Sequence, residues 1–365
     1  MRDHGAPQVP PHCPNRECHF FKCDRDLWRF VRRGWYLRQA RPQRIRRFQC
    51  VACRRHFSTQ TFSTTYWLRR PELQGPILGL IVACAGFRQL GRALRVSPQT
   101  ILGQVARLGR HCLLFHLGHR PKGPVSEPLT LDSFESYEYS QYHPTSFHLV
   151  VGQRSHFFYG FTESELRRKG RMTRVQRARR AQIEAAFGRP DPRSVELEVA
   201  EILRLVAGDS EFELHTDEHP AYPRAIRRLP GARIDHRTIS SRAARTPQNP
   251  LFAINLIDLL IRHCSANHKR ESIASSKWRQ SAIERLWIFQ VWRNFGKSFS
   301  ERHPGESPAM RVGVADHVLT TAEILAHRLF PGRIPLPERW QAHYWRHTPA
   351  RRIPRARTHR LKYAY

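Results

Sequence analysis

The chain has 365 residues, 40% of them hydrophobic, which is long enough for two or three domains and apolar enough to bury real cores. Its 62 Lys and Arg face 30 Asp and Glu, a net charge of +32, and an excess of that size calls for a polyanionic partner, nucleic acid before any other. No apolar run approaches the ~18–20 residues of a membrane span, and the opening MRDHGAPQVPPHCPN has no apolar stretch for a signal peptide. A cytoplasmic protein follows, with no membrane partner, and its eight cysteines are expected as metal ligands or free thiols rather than disulfides.

The basic excess is concentrated early: residues 1–125 carry 23 Lys and Arg against 5 Asp and Glu. Within residues 1–70, CPNREC and FQCVAC supply Cys13, Cys18, Cys50 and Cys53. Two close pairs about thirty residues apart suit one tetrahedral Zn²⁺ held by two short turns, with His12, His19, Cys23 and His56 as alternative ligands. Between the pairs, WRFVRRGWYLRQARPQRIRRFQC alternates aromatic, apolar and basic residues as strands do, and a domain this small needs the metal's folding energy. The expectation is a zinc ribbon.

Residues 71–120 change to a helical pattern, with GPILGLIVACAGF, FRQLGRALRV and SPQTILGQVARLGRHCLLF as three successive helices. Ser97-Pro98 is an N-cap followed by proline at the first helical position. A helix-turn-helix would place the last of these in the major groove, with Gln99, Thr100, Gln104 and Arg107 facing bases or phosphates. The plain alternative is a three-helix bundle with a solvated basic face.

PKGPVSEP, residues 121–128, has linker composition. From 129 to 330 the chain reads as three strands (PLTLDSFESYEY, SFHLVVGQ and SHFFYGFT, the last two joined near Gly152-Gln153-Arg154), a basic helical segment over 166–207, the strand EFELHT, a helix, the strand ARIDHRTI and the helix NPLFAINLIDLLIR. That order describes a mixed five-stranded α/β sheet of the ribonuclease-H kind, in which acids on the first and fourth strands become neighbours. Those acids are Asp132 and Asp217. In the final helix Asn255, Asp258 and Arg262 are spaced three and four apart, so they share one polar face of an otherwise apolar helix. Asn255 is placed to add a third ligand. Residues 331–365 form a basic tail without a matching motif.

The cysteine pairs with FSTQTFSTTYWLRRP, then LDSFES, HTDEHPAYPRAI and NPLFAIN…ANHKRESIASSK…VWRNF…SPAMRVG resemble a zinc-ribbon insertion-sequence transposase of the DDE superfamily, in a branch with asparagine as the third catalytic residue. The resemblance runs from the ribbon to about residue 330. It implies Asp132 and Asp217 as the two acids, Asn255 as the third ligand, and Arg262, about 10 Å further along the same face, as a cation for a DNA phosphate. It further implies two Mg²⁺ (or Mn²⁺) ions roughly 3.5–4 Å apart clamping an in-line phosphoryl displacement. The partners would be terminal inverted repeats and target DNA, with the protein assembling as a nucleoid-associated homo-oligomer on DNA. A neutral amide neutralises no metal charge, so the second ion should bind more weakly without DNA.

Asp258, Glu271 and Glu284 remain competitors for the third position, Glu284 more plainly as the polar side of an amphipathic helix and Glu271 as a partner of Arg270. Contact with a transposon end is expected of the basic helix over 166–180. The rival function is a non-catalytic DNA-binding regulator or decayed remnant, which would need neither acid. An RNA-binding ribbon is a weaker third reading, since no aromatic stacking platform is evident.

Overall fold

The computed structural model describes residues 9–208, 210–269 and 273–348. Strands β1 (Phe30–Leu37), β2 (Arg44–Cys50) and β3 (His56–Ser58) form an antiparallel sheet in that order. The β1–β2 register slips between Arg32 and Trp35, around Gly34 at φ +73°, a left-handed conformation that costs glycine little. The slip has a consequence for side chains. Arg32 lies opposite Phe48 and Trp35 opposite Arg46, two residues apart on β2, so Arg32 and Trp35 share one face despite their odd spacing.

Three helices follow: α1 (Gln74–Val82), α2 (Phe87–Ala93) and the 22-residue α3 (Pro98–His119). Then come β4 (Leu129–Tyr137), β5 (Pro144–Gly152), β6 (Phe158–Glu165), α4 (Arg174–Phe187), α5 (Ser194–Ala207), β7 (Phe212–Thr216), α6 (Ala221–Ile226), β8 (Ile234–Thr238), α7 (Phe252–Cys264) and α8 (Arg279–Val291). Three shorter helices end the described chain: α9 (Pro308–Arg311), α10 (Thr321–Ile324) and α11 (Glu338–Trp345).

The second sheet has the order β6-β5-β4-β7-β8, with β4–β5 and β5–β6 antiparallel and β4–β7 and β7–β8 parallel. Its strands β5 and β6 are buried almost throughout because both their faces are covered. Helix α5 packs on β5 and β6, and α7 on β4 and β5. This mixed five-stranded sheet is the one expected.

Three boundaries expected from composition differ. Helices α1–α3 share one continuous hydrophobic core with the sheet instead of forming a separate unit. A Cβ on Gly109 of α3 would lie 2.8 Å from the Cα of Glu284 on α8, so the two helices meet backbone to backbone. The linker also ends in structure, for Glu127 is buried and accepts hydrogen bonds from the Arg154 and Ser155 amides, each 2.9 Å, and from the Tyr159 hydroxyl at 3.0 Å. It fastens the β5–β6 turn.

The third difference is the tail. Phe330 belongs to the ribbon's own small core, and Trp340 on α11 is fully buried against β6. Residues 331–348 are therefore part of the fold, while 349–365 lie outside the described residues. Three alternate carbonyls of the edge strand β6 accept from side chains: Tyr159 from His116 (2.8 Å), Phe161 from the Trp340 indole (3.0 Å) and Glu163 from Arg339 (3.1 Å). Burial alone would raise the Glu163 carboxyl, but His343 and Arg339 beside it hold it well below the usual range. Among the described residues no helix is long and apolar enough to cross a membrane.

Candidate functional site

The ribbon brings together the four expected cysteines. Cys13 and Cys53 sulfurs lie 3.6 Å apart and those of Cys18 and Cys50 3.8 Å apart, close to the roughly 3.8 Å edge of a tetrahedron with metal–sulfur bonds of about 2.3 Å. Among the described residues this is the only group of three or more His, Cys, Asp or Glu ligand atoms all within 4.8 Å of one another. The alternatives are engaged elsewhere. Burial drives the His12 imidazole down to about 4, its Nδ1 pairs with the Cys13 carbonyl, and its ring packs on Phe21, Phe62 and Phe330. Cys23 donates to the Phe20 carbonyl, and His19 and His56 lie outside the cluster.

At the second sheet, Leu129 and Thr130 pair in parallel register with Leu214 and His215. Two residues further along, Asp132 lies within β4, still paired with β5, and Asp217 stands just past the end of the neighbouring β7, close enough for Asp132 to feel its charge. Burial raises the Asp132 carboxyl to about 6, and Asp217 and Asp258 push in the same direction. The Ser133 amide (2.6 Å) and the Tyr222 hydroxyl (3.3 Å) donate to its Oδ1 and pull the other way. Asp217 accepts from the His219 amide at 2.9 Å, a local turn that starts the path to α6. Tyr222 on α6 is buried, and its hydroxyl also reaches Ser133 at 3.2 Å.

Behind Asp132, the Ser133 hydroxyl meets His148 Nδ1 at 2.7 Å, and Nε2 meets Ser164 at 2.9 Å. Burial lowers His148 to about 3, so this imidazole is neutral and structural. Sequence reasoning missed Tyr222 and His148. The available signal for Tyr222 was its place in HTDEHPAY, five residues after Asp217.

On α7 the polar stripe exists, with its members in different situations. Asn255 is half-buried and makes no side-chain hydrogen bond among the described residues. Asp258 is the member felt electrostatically by Asp132, and its buried Oδ1 has no hydrogen-bond partner. Arg262, expected to meet DNA phosphate, pairs with Asp258 at 3.2 Å, donates to the His268 carbonyl at 3.4 Å and lies over Phe134 at 5.5 Å. It braces the helix against β4. Glu284 is buried, not on a solvated face, and pairs with Arg346 at 2.8 Å. Glu271 lies outside the described residues.

The four α3 side chains expected to face DNA differ in exposure. Ser97 caps α3 by accepting from the Thr100 amide at 3.1 Å, Gln99 is exposed and Thr100 partly so. Gln104 is 5% exposed, and Arg107 donates to the Tyr66 carbonyl at 2.6 Å, so neither presents itself to a groove. The cause is the length of α3, which must bury its side toward α8 and its side toward Thr64–Tyr66 at once.

No protein-family model matches the chain, and a comparison with curated protein sequences finds no match. Among solved structures it is similar to a simian T-cell lymphotropic virus intasome, determined by cryo-electron microscopy in complex with the PP2A regulatory subunit B56 gamma. The identity is 14% over 64% of this chain and 70% of that chain, with a TM-score of 0.24, a likeness too slight to argue from.

Proposed function

We propose that the chain is an insertion-sequence transposase with a ribonuclease-H-like core, cutting terminal inverted repeats and joining them to target DNA as an oligomer. The observation that carries this reading is the parallel pairing of β4 with β7, together with the charge of Asp217, just past β7, acting on Asp132 of β4. The strand order supports the same core, since three antiparallel strands precede two parallel ones.

Asp132, Asp217 and a third oxygen from α7, Asn255 or Asp258, would hold divalent magnesium or manganese. The donor set fits, being hard oxygens with carboxylate charge that no described cation neutralises at Asp132. Such ions polarise a scissile phosphate and activate the attacking oxygen. Tyr222 and the Ser133 amide fix the Asp132 carboxylate in place for that task. Cleavage would transfer the phosphoryl group to water and free a 3′-hydroxyl, which then attacks target DNA. The four thiolates would hold one structural Zn²⁺, whose binding energy supports the ribbon's fold.

The test uses Asp132→Ala and Asp217→Ala. Both should bind an end-containing duplex as wild type does and fail to cut it in Mg²⁺. Cleavage by either variant would remove these acids from the mechanism. A wild type that binds DNA and never cuts would favour a non-catalytic regulator instead.

A further inference from the structure

Arg32, Arg41, Arg44, Arg46 and Arg69 line a cleft of about 1140 Å³ between one face of the ribbon sheet and the chain that leads from β3 to α1. Trp35 lies on the cleft wall, 44% exposed, a large aromatic that a folded monomer would ordinarily bury. The guanidinium carbons of Arg44 and Arg46 each sit 4.5 Å from the centroid of its ring. None of the five arginines has a carboxylate partner among the described residues, in a molecule that pairs many others. The lone acid of the lining, Glu72, is taken by Arg70.

This arrangement is built. Strand pleating places Arg44 and Arg46 on one face of β2, and the bulge at Gly34 turns Arg32 and Trp35 to that same face. Cation–π contact with Trp35 fixes the two guanidiniums before a ligand arrives, so less entropy is lost in binding. We infer that this cleft is the docking site for the phosphate backbone of duplex DNA, and that the ribbon rather than α3 supplies the main electrostatic grip. A duplex is the occupant favoured because the guanidiniums already cover the Trp35 ring where an unstacked base would lie. The inference rests on the proposed function only in taking the partner to be DNA.

The test is the salt dependence of binding by the full, zinc-loaded chain, without added Mg²⁺, to a short mixed-sequence B-form duplex. Removing one arginine that neutralises a phosphate lowers the slope of log K against log salt by about 0.9, so Arg44→Ala/Arg46→Ala should lower it by roughly 1.8. Adding Arg32→Ala and Arg69→Ala should lower it by about 3.6 in all. Trp35→Leu keeps the charges, so it should weaken binding several-fold with the slope unchanged. Zinc content and melting temperature, equal to wild type, show that each variant is folded. The control, Arg193→Ala/Arg204→Ala, removes the same charge from exposed, carboxylate-paired positions and should leave the slope alone. An equal drop in control and cleft variants would overturn the assignment, as would a slope the cleft variants do not change. Tighter binding of the single strand than of the duplex would overturn it too. A wild-type chain that binds no duplex would instead sink the proposed function itself.

Discussion

The ribbon and the five-stranded core solve the same problem with different materials. The ribbon gathers three buried cysteines with Phe21, Trp28, Phe48, Phe57, Phe62 and the distant Phe330, and every position of β1 after Phe30 is exposed. The core instead runs one apolar cluster from Leu73 to Tyr344, closing around buried ion pairs such as Glu163 with Arg339. A region held by an ion can spend its side chains on arginines. One held by packing must hide or pair nearly every charge, and it leaves uncompensated acids only where they serve a purpose.

The strongest test of that contrast is Cys50→Ser. With structural zinc bound at about 10–16 kcal/mol, losing one thiolate should empty the site and unfold the ribbon while the core's melting transition persists. Metal analysis with limited proteolysis reads this directly, and unchanged zinc stoichiometry would refute the ligand set. Trp340→Ala makes the converse cut. It removes a fully buried indole and should cost the core roughly 3–5 kcal/mol while zinc stays bound.

A third change carries the opposite sign. The Asp132 carboxyl is raised from 3.8 to about 6, so the native state prefers it protonated. It therefore favours folding below about pH 4, and that contribution is lost as pH rises through 6. Asp132→Asn should stabilise the metal-free core above pH 6 by on the order of 1–3 kcal/mol, and not at pH 4, while abolishing cleavage. Melting curves across that range check it, and a variant less stable than wild type at pH 7.5 would contradict it.

The smallest effect is expected at Asn255. Half-buried and without a described side-chain hydrogen bond, it should tolerate Asn255→Ala within about 1 kcal/mol. If it is the third ligand, Asn255→Ala loses most cleavage and Asn255→Asp keeps some. Wild-type cleavage by Asn255→Ala would move the role to Asp258, whose orphaned Oδ1 already faces that choice.

Local patterns carried the sheet. The stretches around Leu131, Val150 and Phe161 are buried, and β7, read from EFELHT, ends one residue before Asp217. The cysteine spacing likewise led to a real cluster. Facing was the harder question. A helical period puts Asn255 and Asp258 on one stripe, yet it cannot tell which one the sheet's acid will feel. Gln104 and Arg107 look solvent-seeking, and only the second surface packed on α3 turns them inward. Arg339 reads as tail charge until Glu163 and Glu198, far back in the sequence, come to meet it.

The side chains that close β6 set a timetable for synthesis. Its carbonyls at Phe161 and Glu163 wait for Trp340 and Arg339, which leave the ribosome about 180 residues later, some ten seconds or more at ordinary elongation rates. Until then the nascent sheet carries an open edge, the kind of surface that chaperones hold and that pairs with stray strands when they do not. A product ending before α11 would keep that edge for good, so incomplete chains should be cleared or aggregate.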